Sequence, residues 1–336
     1  MKHGKWNTIT DVPGVKVGHV TLDEPLPDGD YACTGVTAIL PHSGNIFEQK
    51  VPAASFVLNG FGKTAGLIQI EELGVMESPI MLTNTFSVGA VLEGTLAYML
   101  DENRSIGDST SSLNVVVGEC NDSYLNSMRL MKVKPHHAIE AIQNADVGPF
   151  AQGAVGAGKG MICYGMKGGI GSSSRIVQRD EENYTVGVLT LTNFGKVEEC
   201  KIADWLGQNA DILPQSEADD HKPDGSVIIV VATDAPVNER QLKRLAKRAA
   251  VGLGRTGTHI HNGSGDIIIA FSNGFTISHT SESMTMTYEL LRDDHPVMND
   301  LFQGVIEATE EAVYQSMIHA ETTKGRQGRV VEKWAF

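Results

Sequence analysis

Short apolar runs separated by Gly, Pro and Asn divide the chain into many strands and a few helices. Residues 9–20 read as a turn at Pro13-Gly14 followed by an alternating strand. Residues 34–40 form a second strand that stops at Pro41. Residues 51–58 are small and apolar and run to a turn signal at Asn59-Gly60. Leu67, Ile70 and Leu73 share one face of a helix predicted over 62–73, and 88–99 repeat the helical spacing. Residues 79–83 and 113–118 are buried-looking strands, and 136–144 suit a helix. Further strands are expected at 161–164, 176–178, 184–192, 227–233 and 266–272. Helices are expected at 239–252 and 297–319, and 197–206 show no clear pattern.

Strands and helices alternate irregularly, with adjacent strand pairs near the middle. That favours mixed α/β layers over a doubly wound parallel sheet. Residues 214–225 are the one internal linker. They hold six charged or titratable side chains and almost nothing apolar. At 336 residues the chain suits a large single domain or two intimately packed halves.

The net charge of −14 argues against nucleic acid or an anionic membrane as the main partner. It fits an amine-bearing ligand. The basic face of the 239–252 helix, with Arg240, Lys243, Arg244, Lys247 and Arg248, reads as solvated or as a subunit surface. Cys33, Cys120, Cys163 and Cys200 are widely spaced, so neither a zinc site nor a disulfide framework is indicated. Residues 1–7 are polar and no run of 18 apolar residues occurs, so a cytoplasmic chain without a membrane span is expected.

Chemistry concentrates where the linker ends. His221-Lys222-Pro223-Asp224-Gly225-Ser226 runs directly into the 227–233 strand. Taken alone this is a loop-to-strand boundary with an ordinary serine. Its chemistry allows more. Ser226 can attack the carbonyl before it, and scission of the Gly225–Ser226 bond leaves a hydroxyl and an α-amine on one residue. That amine titrates near pH 8, so it can serve as base for its own hydroxyl.

Other motifs divide between function and plain structure. The loop from Gly153 to Gly160, with Gly158-Lys159, nearly matches a phosphate-binding loop. It places Gly160 where a magnesium-holding hydroxyl belongs, so a nucleotide site stands as the alternative. His259-x-His261 has no third ligand at metal spacing and reads as a pair of loop histidines. Asn193, at a strand end, can offer its amide to an oxyanion. Ser264 and Asp266 lie two apart before a strand and so share a face. The polar cluster from Glu119 through Asn121 to Tyr124 follows a buried strand, a position where loops often carry function.

Six stretches occur in order: 11–18 (DVPGVKVG), 34–38 (TGVTA), 171–175 (GSSSR), 193–195 (NFG), 225–236 (Gly225-Ser226 through ATDAP) and 262–266 (NGSGD). Together they resemble the DmpA-type aminopeptidases, which include the L-aminopeptidase/D-esterase/amidases and the β-peptidyl aminopeptidases. The resemblance implies a serine hydrolase that cuts itself before Ser226, giving an α piece of 1–225 and a β piece of 226–336. It implies an α/β/β/α layered sandwich like that of N-terminal-nucleophile hydrolases, with different connectivity. It implies a tetramer of processed pairs acting on small peptides, amides or esters without metal or organic cofactor. By position, Ser226 is the nucleophile and Asn193 the oxyanion amide. Ser264 orients the nucleophile, and Asp266 stands where the family pattern has a glutamate. Tyr124 corresponds to a tyrosine near the oxyanion, with Asn121 the alternative register. Glu119 is assigned to the substrate's free amine.

Overall fold

The computed structural model describes residues 1–207 and 225–335. All of the 214–225 linker except Gly225 lies outside the described residues. In chain order the regular elements are β1 (Lys16–Pro25), β2 (Tyr31–Leu40), β3 (Gln49–Gly60), α1 (Leu67–Leu73), β4 (Val75–Met76), β5 (Ile80–Asn84), α2 (Val88–Glu102), β6 (Val116–Cys120), α3 (Pro135–Gln143), β7 (Ile162–Cys163), β8 (Met166–Lys167), β9 (Ile170–Arg179) and β10 (Glu182–Asn193). They continue as α4 (Ile202–Trp205), β11 (Ser226–Thr233), α5 (Glu239–Arg255), β12 (Gly265–Ser272), β13 (Ile277–Ser278), α6 (Val297–Ile318), β14 (Thr323–Lys324) and β15 (Val330–Val331).

A small sheet runs β1-β2-β5-β6 and a large one runs β13-β3-β12-β11-β10-β9, with β4 off β3. Most pairs are antiparallel; β5–β6 and β11–β12 are parallel. The two sheets share an inner core that includes Leu189, Leu191, Ile228, Val230, Ile267 and Ile269. Helices α5 and α6 cover the outer face of the large sheet, burying Val227, Ile229, Ile268 and Leu245. Helices α2 and α3 cover the outer face of the small one. This is the α/β/β/α sandwich that the resemblance implies, and it agrees with the mixed α/β layers read from the sequence pattern.

Strand β11 is buried along its whole length. Its near-continuous Val/Ile run has an apolar layer on both sides, as a central strand requires. Each of its five Val and Ile side chains contributes about 1.5–3 kcal/mol by burial. The head of this strand is therefore firmly held, and Ser226 is its first residue.

Local readings differ from the structure in three places. Asn59-Gly60 is no turn; β3 continues through Gly60. The Asn59 amide donates to the carbonyls of His261, Asn262 and Ser264, so it pins a distant loop. The helix predicted over 62–73 forms only from Leu67, because Gly62 packs against the Gly265 backbone and Gly66 adopts a left-handed φ of 86°. Residues 197–206 hold a short helical turn and α4. The basic face of α5 is partly solvated, as its sequence suggests, and its side chains also make contacts within the chain. Arg240 and Arg244 pair with Asp293, Lys243 pairs with Glu71, and Arg248 stacks on Phe302.

Candidate active site

Ser226 lies opposite Asn193, the last residue of β10, and beside Gly265, the first of β12. Directly opposed residues of an antiparallel pair project from one face. Alternation settles which face. Leu191 and Ile228, two residues inward on their strands, belong to the inter-sheet core. Asn193 and Ser226 therefore stand together on the inner face, where the sheet ends and the core opens. A cavity of about 260 Å³ lies there, lined by Phe61, Lys63, Thr85, Glu119, Asn121, Ser226 and Gly263.

The Gly225–Ser226 junction is tightly built. The Ser226 hydroxyl donates to the Gly225 carbonyl oxygen at 2.8 Å, and the Gly265 N–H donates to that oxygen at 3.3 Å. Gly225 is required by space: a Cβ there would lie 2.5 Å from Phe194 Cα and 2.7 Å from the Asn193 carbonyl oxygen. Gly225→Ala must move the carbonyl that precedes Ser226, at the bond where the resemblance implies self-cleavage. Misplacement of about 1 Å costs on the order of 10²-fold in rate, so this variant is expected to accumulate uncut chain, read by intact mass against time.

Asn193 is oriented from both ends of its amide. The Ile162 N–H donates to Oδ1 at 3.0 Å, and Nδ2 donates to the Asn121 carbonyl at 2.9 Å. In the same cavity lining, buried Glu119 accepts from the Lys63 N–H at 2.7 Å and from the Thr85 hydroxyl. Both carboxylate oxygens are thus fixed, on a cavity wall shared with Ser226.

Ser264 and Asp266 share a face, as their spacing predicts: the Ser264 hydroxyl donates to Asp266 Oδ1 at 2.7 Å. Their face is the one opposite Ser226. Gly265 is in register with Ser226, so its two neighbours project toward the helical layer. The structure brings this pair to the backbone flank of Ser226 rather than to its hydroxyl. Burial raises the Asp266 pKa to about 6, opposed by the Ser264 bond and by His261. An acid whose pKa rises on folding from 3.8 to about 6 loses stability as pH climbs through that window. Wild type is expected to lose roughly 2 kcal/mol more between pH 4 and pH 7 than Asp266→Asn, measured by denaturant titration at each pH.

Tyr124 packs on the same small cluster as Ile162, whose N–H holds the Asn193 amide. Its ring lies under the Arg329 guanidinium, 4.7 Å from centroid to carbon, beside the Cys33–Leu125–Val331 cluster. It does not line the cavity, whereas Asn121 does. His259 and His261 both meet Glu199, at 3.3 and 2.8 Å, and no group of three metal-binding side chains occurs among the described residues. The Gly153–Gly160 loop leads into strand β7, not a helix, and Lys159 pairs with Asp23 at 2.7 Å. The nucleotide alternative thus has neither its helix nor a free lysine.

Sequence reasoning missed Phe61, Lys63, Thr85 and Gly263. Thr85 had a signal: β5 and β6 are parallel, and sites form beyond the carboxyl ends of parallel strands. The cluster after β6 therefore has a counterpart after β5. Phe61 and Lys63 had none, because their place depends on β3 running past Asn59.

An α/β/β/α sandwich with a Gly–Ser junction at the mouth of its inter-sheet core defines a hydrolase of the N-terminal-nucleophile type. The chain belongs to peptidase family S58, whose pattern matches residues 7–331, and it is an aminopeptidase of that family. It is 38% identical over 348 residues to beta-peptidyl aminopeptidase BapA of Sphingosinicella microcystinivorans, covering 99% of this chain and 86% of that one. Among solved structures it resembles the PH0078 protein of Pyrococcus horikoshii OT3, with a TM-score of 0.89 and 48% identity over 99% of this chain and 92% of that one. It also resembles the L-aminopeptidase D-Ala-esterase/amidase of Ochrobactrum anthropi, described as a prototype serine aminopeptidase and an Ntn-hydrolase variant. That match has a TM-score of 0.88 and 34% identity, covering 100% of this chain and 92% of that one. No helix among the described residues is long and apolar enough to cross a membrane.

Proposed function

We propose that Ser226 is both the residue that cuts the chain and the nucleophile that the cut liberates. In the first step its Oγ attacks the Gly225 carbonyl carbon. The C–N bond breaks, its nitrogen takes the hydroxyl proton, and an ester remains. Water then splits the ester, leaving a Gly225 carboxylate and a free Ser226 amine. In the second step Oγ attacks the carbonyl of a bound peptide, the new amine takes the proton and returns it to the leaving amine, and water then hydrolyses the acyl-serine ester, releasing the acid and restoring the hydroxyl. One hydrogen of Asn193 Nδ2 is spent on the Asn121 carbonyl, and the other serves the oxyanion. The Ser264–Asp266 pair, on the backbone flank of Ser226, orients the freed nitrogen rather than the hydroxyl. These steps use protein groups and water.

One observation carries the reading: Ser226, paired with Asn193 across two strands, lines a cavity that the fixed carboxylate of Glu119 also lines. That carboxylate selects a substrate with a free N-terminal ammonium. The names of the relatives suggest β-aminoacyl peptides, in which one extra methylene separates amine from carbonyl. Small amides and esters share the same reacting groups. The tetramer of processed pairs implied by the resemblance belongs to the same reading.

A hydrogen bond to a charged group is worth about 1.5–3 kcal/mol. Glu119→Gln should therefore raise KM for a free-amine aminoacyl anilide by about 10- to 100-fold. The N-acetylated substrate should resist wild type. Unchanged KM in the variant, together with equal turnover of the acetylated substrate, would remove Glu119 from this role.

A further inference from the structure

We propose that Lys167 is a positioning residue for the oxyanion-binding amide of Asn193, acting through the peptide unit between Met161 and Ile162. The proposal rests on the reading of Asn193 given above.

Lys167 is fully buried, at 0% exposure, and makes no ion pair among the described residues. Burial pulls its pKa down to about 7, which reflects how much the ammonium loses by leaving water. A buried charge of this kind persists only if its hydrogen bonds are made. Its three hydrogens meet three backbone carbonyls, those of Gly158 at 3.1 Å, Met161 at 2.7 Å and Gly168 at 2.6 Å. The cage spans a stretch that would otherwise be pliable. Gly153, Gly156, Gly165 and Gly169 all have positive φ, and Gly158 packs against the Gly169 and Ile170 backbone.

One of the three carbonyls leads to the active site. The Met161 C=O and the Ile162 N–H belong to a single planar peptide group. Lys167 holds its oxygen end. Its hydrogen end donates to Asn193 Oδ1 at 3.0 Å. An ammonium on the carbonyl polarises the group and strengthens the N–H as a donor. A carboxamide is nearly symmetric in shape, so its hydrogen-bond partners decide which end is oxygen. The Ile162 N–H demands Oδ1 on its side, and Nδ2 is thereby turned to the carbonyl of Asn121, a residue that lines the cavity. An apolar side chain at 167 would fill the space without the cost of burying charge, but it would release this peptide group. The loop that resembles a phosphate cradle is thus braced by Lys167 and serves the carboxamide, while Lys159 points away to Asp23.

The test uses the whole chain, with kcat and KM expressed per mole of cut chain, the cut fraction being read by intact mass. Lys167→Met is expected to lower kcat about 10- to 100-fold and leave KM within about twofold, since an oxyanion contact acts in the transition state. Should that variant not fold by circular dichroism, Lys167→Leu in a background stabilised by osmolyte carries the same test, since it too removes every donor to the Met161 carbonyl. A folded variant with kcat within twofold of wild type overturns the proposal, as does one in which the change falls on KM. Asn193→Ala run in parallel separates the two readings. If it keeps wild-type kcat, the oxyanion assignment itself fails. If it loses kcat while the Lys167 variant does not, only the role of Lys167 fails.

Discussion

Ser226→Ala is expected to remain one chain of 36.1 kDa and to hydrolyse no aminoacyl anilide above background. A single oxygen is removed, and both reactions lose their attacking atom. The uncut chain also lacks the α-amine that would act as base. Loss of the nucleophile in an enzyme whose groups act as a unit costs on the order of 10⁶-fold, so residual turnover should be undetectable. The fold should survive. Ser226 is 6% exposed, heads a strand held by apolar layers on both sides, and gives up one hydrogen bond, that to the Gly225 carbonyl. That loss is worth about 0.5–1.5 kcal/mol. A variant that is folded, uncut and inactive is therefore the expected result. Two fragments from this variant would assign the cut to another residue.

Asn193→Ala is expected to separate the two reactions. Peptide hydrolysis should fall about 10²–10³-fold in kcat, the usual cost of one oxyanion donor, with KM little changed. Self-cleavage should suffer less. In the continuous chain the Gly225 oxygen receives the Gly265 N–H and the Ser226 hydroxyl, and Asn193 Nδ2 is directed to Asn121. The measurement is a pair of rates on one preparation: the fraction cut against time by intact mass, and turnover per mole of cut chain. A variant that cuts at the wild-type rate and also turns over at the wild-type rate would take Asn193 out of the chemistry.

The strands were legible wherever burial on both faces forced an unbroken apolar run. Strand β11 is the clearest case. Ser226, Asn193, Ser264 and Asp266 were visible as polar residues set against such runs, and their order along the chain carried the family resemblance. What joins them was not visible. The Asn193–Ser226 opposition is a register between strands separated by the 208–224 stretch, and no local period encodes it. The face occupied by Ser264 and Asp266 relative to Ser226 is set by the β11–β12 register; spacing told only that those two agree with each other. Asn59 read as a turn because Asn-Gly usually is one. Here its amide is engaged by three carbonyls from a loop some 200 residues away, which holds β3 extended. Lys159 drew notice from its glycine neighbours, while Lys167, whose cage is purely tertiary, gave no signal in the sequence.

Intact-mass measurement of the purified wild-type chain probes the central claim most directly. Two species are predicted, residues 1–225 and residues 226–336, the second with a free Ser226 amine at its start. An enzyme that hydrolyses aminoacyl substrates while every molecule weighs 36.1 kDa would contradict it.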